Sequence, residues 1–114
     1  MYDLTYRPRR LRTSPEMRDL VRETTLDTTD LIYPLFIVPG EGIKKEIDTL
    51  PGQYHLSVDE AVKVAQEAYD LGIRGVEIFG IPTYKDEQGS SAWDMEQPVQ
   101  QAITAIREAV PNLL

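Results

Sequence analysis

Two short apolar runs, each followed by an amphipathic stretch, constrain the fold of this chain more than any other feature. The runs cover residues 31–38 and 75–81, and a third begins at Leu113. Strands that alternate with helices at this spacing are typical of βαβ units and a parallel sheet. Because a parallel sheet is buried on both faces, two strands and two helices do not complete one. The sequence therefore predicts the opening part of a larger α/β domain.

Helix signals follow both runs. Ser57 and Glu60 match a capping box, and apolar residues recur behind them with helical spacing up to Gly72, which suits a C-terminal cap. Asp94 and Gln97 are predicted to cap the second helix. The apolar face of that helix comprises Val99, Ala102, Ile103, Ile106, Ala109 and Val110. Each helix is therefore expected to bury one face.

The first run and the segment after it carry proline and glycine signals. Pro34 cannot donate a hydrogen bond to a sheet, so we expect its donor side to face an edge or a bulge. Turn signals at residues 39–42 and 51–52 predict a loop between the first strand and the helix at Ser57. A buried strand followed by a long loop is thus the expected arrangement.

The N-terminal 30 residues differ from the rest in charge and pattern. Residues 1–13 lack hydrophobic periodicity and are predicted to form an extended arm, which a short helix follows from Ser14 and Pro15. Six arginines balance six acids before residue 31, whereas residues 31–114 carry 13 acids and six basic residues. An acidic body disfavours nucleic acid as a partner. We expect the basic arm to lie on another protein surface, including that of a second copy.

Composition excludes several kinds of site within these residues. The net charge is −7, and the chain has no cysteine, which excludes disulfides, thiolate nucleophiles and cysteine zinc sites. No apolar run approaches the roughly 18 residues of a membrane span, and no leader peptide is evident at the N-terminus. A cytoplasmic protein without membrane or nucleic-acid partners is therefore expected.

Five short motifs occur along the chain in one order and spacing. They are RPRRLR at 7–12, DLIYPLF at 30–36, LPG at 50–52, FGI at 79–81 and KDEQGS at 85–90. Together they closely resemble the N-terminal third of the porphobilinogen synthases, also called δ-aminolevulinic acid dehydratases. The resemblance implies a (β/α)₈ TIM barrel preceded by an extended arm with a short helix. Residues 1–30 would be the arm, used in oligomerisation, and residues 31–114 the first two βα units of an incomplete barrel.

The resemblance also implies a chemistry. The family condenses two molecules of 5-aminolevulinate to porphobilinogen in heme and chlorophyll biosynthesis, as a hydro-lyase with two Schiff-base lysines and with zinc or magnesium. Both lysines and the metal ligands would follow residue 114, so no catalytic residue and no metal ligand is assigned here. Family members assemble mostly as octamers through the arm. The 114 residues alone are expected to be inactive.

The arginine strip supplies the candidate site residues. In magnesium-responsive family members an arm arginine takes part in an allosteric site between subunits, and Arg12 corresponds to it by motif position. Arg7, Arg9 and Arg10 belong to the same strip and are candidate interface residues. A guanidinium suits carboxylates across an interface. A merely solubilising basic terminus is the alternative.

Other chemistry-bearing residues are expected to be structural. Lys44, Lys45 and His55 lie in the predicted loop without a nucleophile or metal-ligand set beside them. Asp86 and Glu87 follow the second strand, on the edge where barrel enzymes place their chemistry. Adjacent loop carboxylates usually point apart, so a structural turn is favoured.

A different class of function remains open from the sequence alone. The chain could be a truncated, non-catalytic interaction module that docks on a full-length enzyme through its arm. Incomplete cover of its apolar residues would then have to be relieved by association.

Overall fold

The computed structural model describes residues 5–114, which form an N-terminal arm with one short helix and a four-stranded sheet with two long helices on one face. The strands are β1 (Ile32–Ile37), β2 (Lys44–Ile47), β3 (Leu50–Leu56) and β4 (Gly75–Gly80). The helices are α1 (Pro15–Leu20), α2 (Val58–Asp70) and α3 (Pro98–Ala109). None of the helices in this described part is long and apolar enough to cross a membrane.

The sheet has the order β2-β3-β1-β4. β1 and β4 are parallel neighbours through six residue pairs, from Ile32 with Gly75 to Ile37 with Gly80. Helix α2 lies between them in the chain, so β1, α2 and β4 form the predicted βαβ unit. This parallel arrangement confirms the α/β class and places α2 and α3 on one side of the sheet.

A β-hairpin replaces the loop predicted after β1. β2 and β3 are antiparallel, and β3 also runs parallel to the end of β1 through Phe36 with His55. The chain reverses at residues 48–49, whereas Gly52, read as a turn signal, lies within β3 at φ +80°. The pairing shifts register between Glu46 and Ile47. The loop prediction was wrong because the glycine marks an irregularity in a strand.

Pro34 fits in β1 because its nitrogen, which cannot donate a hydrogen bond, faces a part of the sheet where β1 has no paired neighbour. Val38 N–H donates to Leu56 O at 2.8 Å, toward β3, and Ile37 O accepts from Ile81 N at 2.8 Å, toward β4. Since alternate residues of a parallel strand bond to opposite neighbours, the nitrogen of Pro34 faces β3. The β1–β3 ladder begins only at Phe36. The expectation of an edge-like position for the proline is confirmed.

One apolar core lies between the sheet and the two long helices. Leu35 and Ile37 of β1 and Leu56 of β3 are buried there. The helices and the C-terminal segment contribute Ala61, Ala65, Ala102, Ile106, Val110 and Leu113. Alanines on the buried helix faces let the helices approach the sheet closely. No helix of residues 5–114 covers the opposite face of β1 and β4, as expected for the inner side of a barrel wall.

Two of the predicted helix ends are confirmed. Ser14 caps α1, because its Oγ accepts a hydrogen bond from Met17 N at 3.2 Å. Gly72 ends α2 at φ +99°, with hydrogen bonds from Gly72 N to Tyr69 O and from Ile73 N to Ala68 O. This pair of bonds is the Schellman motif, which favours glycine at the left-handed position.

The two predicted N-terminal caps of the long helices do not form. Ser57 precedes α2, but its Oγ accepts from Ile43 N at 2.9 Å and donates to Asp59 at 2.5 Å. Its hydroxyl therefore ties the hairpin to the helix. Asp94, predicted to cap α3 together with Gln97, accepts instead from Glu96 N and Gln97 Nε2. The residue directly before α3 is Gln97, which makes no side-chain cap because its carboxamide is engaged elsewhere. A motif in sequence does not reveal competing partners that come from distant residues.

The third apolar run begins as a strand beside β4. Leu114 N donates to Arg74 O at 2.9 Å, and Leu114 O accepts from Val76 N at 2.9 Å. This pair of bonds is the pattern of a parallel neighbour. Leu114 lies on the side of β4 away from β1. The N–H of Ile81 faces β1, and Val76, an odd number of residues away along the strand, directs its N–H to the opposite side.

Candidate functional site

The uncovered face of the sheet presents an aromatic pair. Phe36 of β1 and Phe79 of β4 are opposite each other, with ring centroids 5.4 Å apart and planes inclined by 19°. Phe79 remains 45% exposed. Both residues lie near the carboxyl ends of their strands, the edge at which barrel enzymes bind substrate.

The hairpin brings His55 and the two lysines beside this sheet. His55 pairs with Phe36 on one side and with Lys45 on the other. Lys44 takes the opposite face, where its Nζ lies 5.0 Å from the centre of the Tyr54 ring in a cation–π contact. Within the described residues no group of three or more His, Cys, Asp or Glu side chains could hold a metal ion. The donor set present here does not fit zinc or magnesium.

The segment that follows β4 is held at its base by Gln97. Gln97 Oε1 accepts from Thr83 N at 3.0 Å and from Thr83 Oγ1 at 3.1 Å, while its Nε2 donates to Asp94 Oδ2 at 3.0 Å. Tyr84 OH donates to the same carboxylate at 3.3 Å. Sequence reasoning treated Gln97 only as a cap, and no local signal shows that it reaches back to Thr83.

Asp86 closes a turn within this segment. Its Oδ1 accepts from Ser90 N at 2.8 Å, and Gly89 takes a left-handed conformation at φ +65°. The Ser90 hydrogen bonds hold the pKa of the Asp86 carboxyl below its usual range. The hydrogen bond from Glu96 N, followed by that from Gln97, likewise lowers the pKa of Asp94. Ionised acceptors of backbone N–H groups are suited to holding a loop in shape.

The arginine arm is exposed. Arg10 to Arg12 form a single 3₁₀ turn, and Arg7 and Arg9 precede it. Residues 1–4, which belong to the predicted arm, lie outside the described part of the chain. From residue 5 to residue 31 only Ser14 and Met17 are partly buried. The arm therefore offers its side chains to an outside surface.

Arg12 shares a concavity with two arginines that sequence reasoning did not single out. Arg18 and Arg22 line it together with Leu11 and Val21, around a volume of about 350 Å³. Arg22 also pairs with Asp19. Arg18 is in α1, whereas Arg22 lies two residues beyond its end, so helical spacing gave no signal for this grouping. Three guanidinium groups over an apolar floor suit an acidic protein segment.

An apolar cavity of about 590 Å³ lies against the outer edge of β4 and α3. Val76, Ile78 and Ile103 line it together with Leu113 and Leu114. Leu114 already continues the sheet on this edge. In a (β/α)₈ barrel, this is the place of the next strand and helix.

Parallel βα units whose helices all lie on one face of the sheet are the repeating unit of the (β/α)₈ barrels. The profile of the delta-aminolevulinic acid dehydratase family matches residues 5–114. The chain belongs to this family, so the recognition made from the five motifs is confirmed.

Individual relatives give the extent of the similarity. The delta-aminolevulinic acid dehydratase of Synechococcus elongatus is 56% identical over 110 residues, which are 96% of this chain and 34% of the relative. That of Ruminiclostridium josui is 49% identical, over 94% of this chain and 52% of the relative. The Synechococcus relative is thus about three times as long as the segment it shares with this chain.

A solved structure supports the barrel assignment. The delta-aminolevulinic acid dehydratase of Toxoplasma gondii, in complex with the reaction product porphobilinogen, superposes with a TM-score of 0.82 at 31% identity. The match covers 97% of this chain and 32% of that structure. The described residues therefore have the fold of one part of a TIM barrel.

Proposed function

We propose that this chain is the N-terminal portion of a porphobilinogen synthase, a hydro-lyase that condenses two 5-aminolevulinate molecules to porphobilinogen. The observation that carries the proposal is the family match over residues 5–114, at a third of the length of the Synechococcus relative. The stretch supplies the arm and the start of the barrel. Heme and chlorophyll synthesis would be the pathway, in the cytoplasm.

We propose a scaffolding role for this stretch in that reaction. Phe36 and Phe79 would form part of the inner wall of the barrel. The segment bonded to Gln97 would border the carboxyl ends of the strands. The Schiff-base lysines and the zinc or magnesium site of the family would come from other strands. Residues 31–114 would be the first two βα units, and the third βα unit would pack against the edge of β4.

Intact mass and activity of the native protein test this proposal. We expect antibody to the arm to capture a species roughly three times heavier than 13.0 kDa, as a complete arm and barrel require. That species should convert 5-aminolevulinate to porphobilinogen. A captured species of 13.0 kDa without activity would contradict the proposal.

A truncated interaction module is the second candidate function. The apolar cavity beside β4 and α3 favours it, because Ile103 and Leu114 remain exposed at that edge. Such a module would hide these side chains by docking on a full-length enzyme. The 13.0 kDa outcome, together with co-purification of a full-length synthase, would support this reading.

The arm is proposed to join subunits of a homo-oligomer, an octamer by family resemblance. Arg7, Arg9, Arg10 and Arg12 are exposed on a projecting segment, and the excess of acid lies in residues 31–114. The arginine strip at residues 7–12 and the acidic body carry opposite charges, which favours contact between copies. Arg12 is proposed to act as the allosteric interface arginine.

Replacing Arg12 by Gln is expected to shift the native protein toward smaller assemblies, since an interface carboxylate would lose its partner. Truncating one partner of a buried charge pair costs about 2–5 kcal/mol. Sedimentation velocity over a range of concentrations measures the shift. Lys63→Gln is the matched control, because Lys63 is an exposed cation on α2. An unchanged distribution for Arg12→Gln would count against the interface role.

A further inference from the structure

We infer that Gln97 is a positioning residue that holds the loop of residues 84–96 in place beside the substrate-binding edge of the barrel. The inference rests on the proposed function, because the loop matters for catalysis only if the barrel binds substrate at that edge. Gln97 itself is not proposed to touch substrate or metal. Its role is exerted through the loop.

The hydrogen bonds of Gln97 join the two ends of the loop. Thr83, three residues after β4, donates through its N–H and its hydroxyl to Gln97 Oε1. Gln97 itself is the residue before α3, and its Nε2 donates to Asp94 inside the loop. One carboxamide therefore bridges the end of a strand, the loop and the start of a helix.

Burial makes this bridge costly to break. Gln97 is 6% exposed, and both its donor and its acceptor atoms are satisfied. If a buried amide loses its hydrogen-bond partners, its polar groups stay desolvated and unpaired. Breaking the bridge therefore costs more free energy than the lost hydrogen bonds alone. The bridge is thus stronger than the exposed hydrogen bonds elsewhere on α3.

The loop has a defined shape that depends on this anchor. Asp94 accepts from Gln97, from Glu96 N and from Tyr84 OH. Asp86 separately closes the turn at Ser90. Asp94 and Tyr84 are the titratable side chains that the described residues place in this network. Because the loop leaves β4 just beyond Phe79, its placement sets which groups border the inner face at the carboxyl edge.

Gln97→Glu is the decisive substitution. It keeps an oxygen to accept from Thr83 but replaces the donor facing Asp94 with a second carboxylate. Two ionised carboxylates at hydrogen-bond distance repel each other, whereas the protonated form of one restores the donor. The variant should therefore loosen the loop at pH 8 and tighten it again near pH 5.5.

Gln66→Glu is the matched control. Gln66 Nε2 also donates to a carboxylate, Asp70 Oδ1 at 2.9 Å, but this pair is exposed on α2 and lies toward the amino end of β4. Thr83→Val is a milder second variant, because it removes the hydroxyl contact and keeps the backbone N–H contact. It keeps the test decisive if Gln97→Glu fails to fold.

The experiment combines hydrogen exchange of residues 84–96 with steady-state kinetics, both on the native protein. At pH 8 we expect the backbone amides of the loop to exchange about tenfold faster in Gln97→Glu than in wild type. The KM for 5-aminolevulinate should be about tenfold higher than that of wild type, with kcat within about twofold. Thr83→Val should show a smaller change in the same direction. Both effects of Gln97→Glu should recede near pH 5.5, and Gln66→Glu should match wild type.

The outcomes separate this inference from the proposed function. Loop exchange in Gln97→Glu equal to that of Gln66→Glu at both pH values would overturn the inference. Faster exchange with unchanged KM and kcat would also overturn it, since the loop would then not act at the substrate edge. A wild-type protein without porphobilinogen activity would reject the proposed function, and the exchange data would still decide whether Gln97 anchors the loop.

Discussion

Residues 1–114 expressed alone are expected to form no porphobilinogen. The same residues, grafted in place of the matched segment of the Synechococcus elongatus relative, are expected to support turnover. The relative is 56% identical over this segment, so its remaining strands should meet a nearly native edge. The measurement is the rate of porphobilinogen formation from 5-aminolevulinate by each protein.

The physical reason for the first outcome is an incomplete site. Within the described residues Lys44 lies on the Tyr54 ring and Lys45 is exposed on an edge strand, and neither occupies a desolvated pocket of the kind a Schiff-base lysine needs. The inner face at Phe36 and Phe79 is open. A barrel closes this face and excludes water from it.

The graft succeeds only if the edge of β4 and α3 fits the next βα unit. Val76 and Ile103 line the apolar cavity there. A second graft with Ile103→Asp is therefore the control, and it should lose both assembly and activity, because burying a carboxylate in this apolar lining is unfavourable even with Arg107 four residues away. Porphobilinogen formation by residues 1–114 alone would refute the prediction, as would an inactive but well-folded graft.

Ile37→Ala is expected to cause the largest loss of stability among single truncations in the core. Ile37 is 0% exposed and lies between the sheet and both long helices. Removing buried methyl and methylene groups loses transfer free energy and leaves a cavity, at about 2–5 kcal/mol for an isoleucine. Urea denaturation followed by circular dichroism measures the change in the free energy of unfolding.

Ile32→Ala is the matched control for that truncation. Ile32 begins the same strand, pairs with Gly75 of β4 and is 68% exposed. Both variants lose the same β propensity, so the difference between them reports burial. Ile32→Ala should change the free energy of unfolding by about 0.5 kcal/mol or less. Equal effects for the two variants would show that the core is not where the structure places it.

Local patterns predicted the elements whose determinants lie close together in the chain. The helical period of α2 and α3, the glycine at the end of α2 and the Ser14 cap were predicted and confirmed, whereas Ile103 and Ala109 of the predicted α3 face are exposed. The five motifs, although short, identified the family because their order and spacing are specific. These features depend on residues a few positions apart.

Features that depend on distant partners were missed. The hairpin of β2 and β3 depends on pairing with β1. Three of the four residues of β2 are charged and β3 contains Pro51 and Gly52, so neither strand shows a clear alternation. Ser57 lies at the predicted start of α2, but its hydroxyl bonds to Ile43 instead of capping the helix. Asp94 and Gln97 were predicted to cap α3 together, but the Gln97 carboxamide bonds to Thr83. In each case a polar side chain has several local options, and a neighbour brought near by the fold decides between them.

The sequence by itself determined the βα order, the helix faces and the family, because periodicity and motif spacing are written along the chain. Only the tertiary structure decided that Pro34 faces an unpaired stretch, that Arg18 and Arg22 join Arg12, and that Gln97 bonds to both Thr83 and Asp94. These depend on which groups meet across a sheet or between its ends. Such contacts join residues that are far apart in the sequence, so no short stretch of the chain contains the information that predicts them.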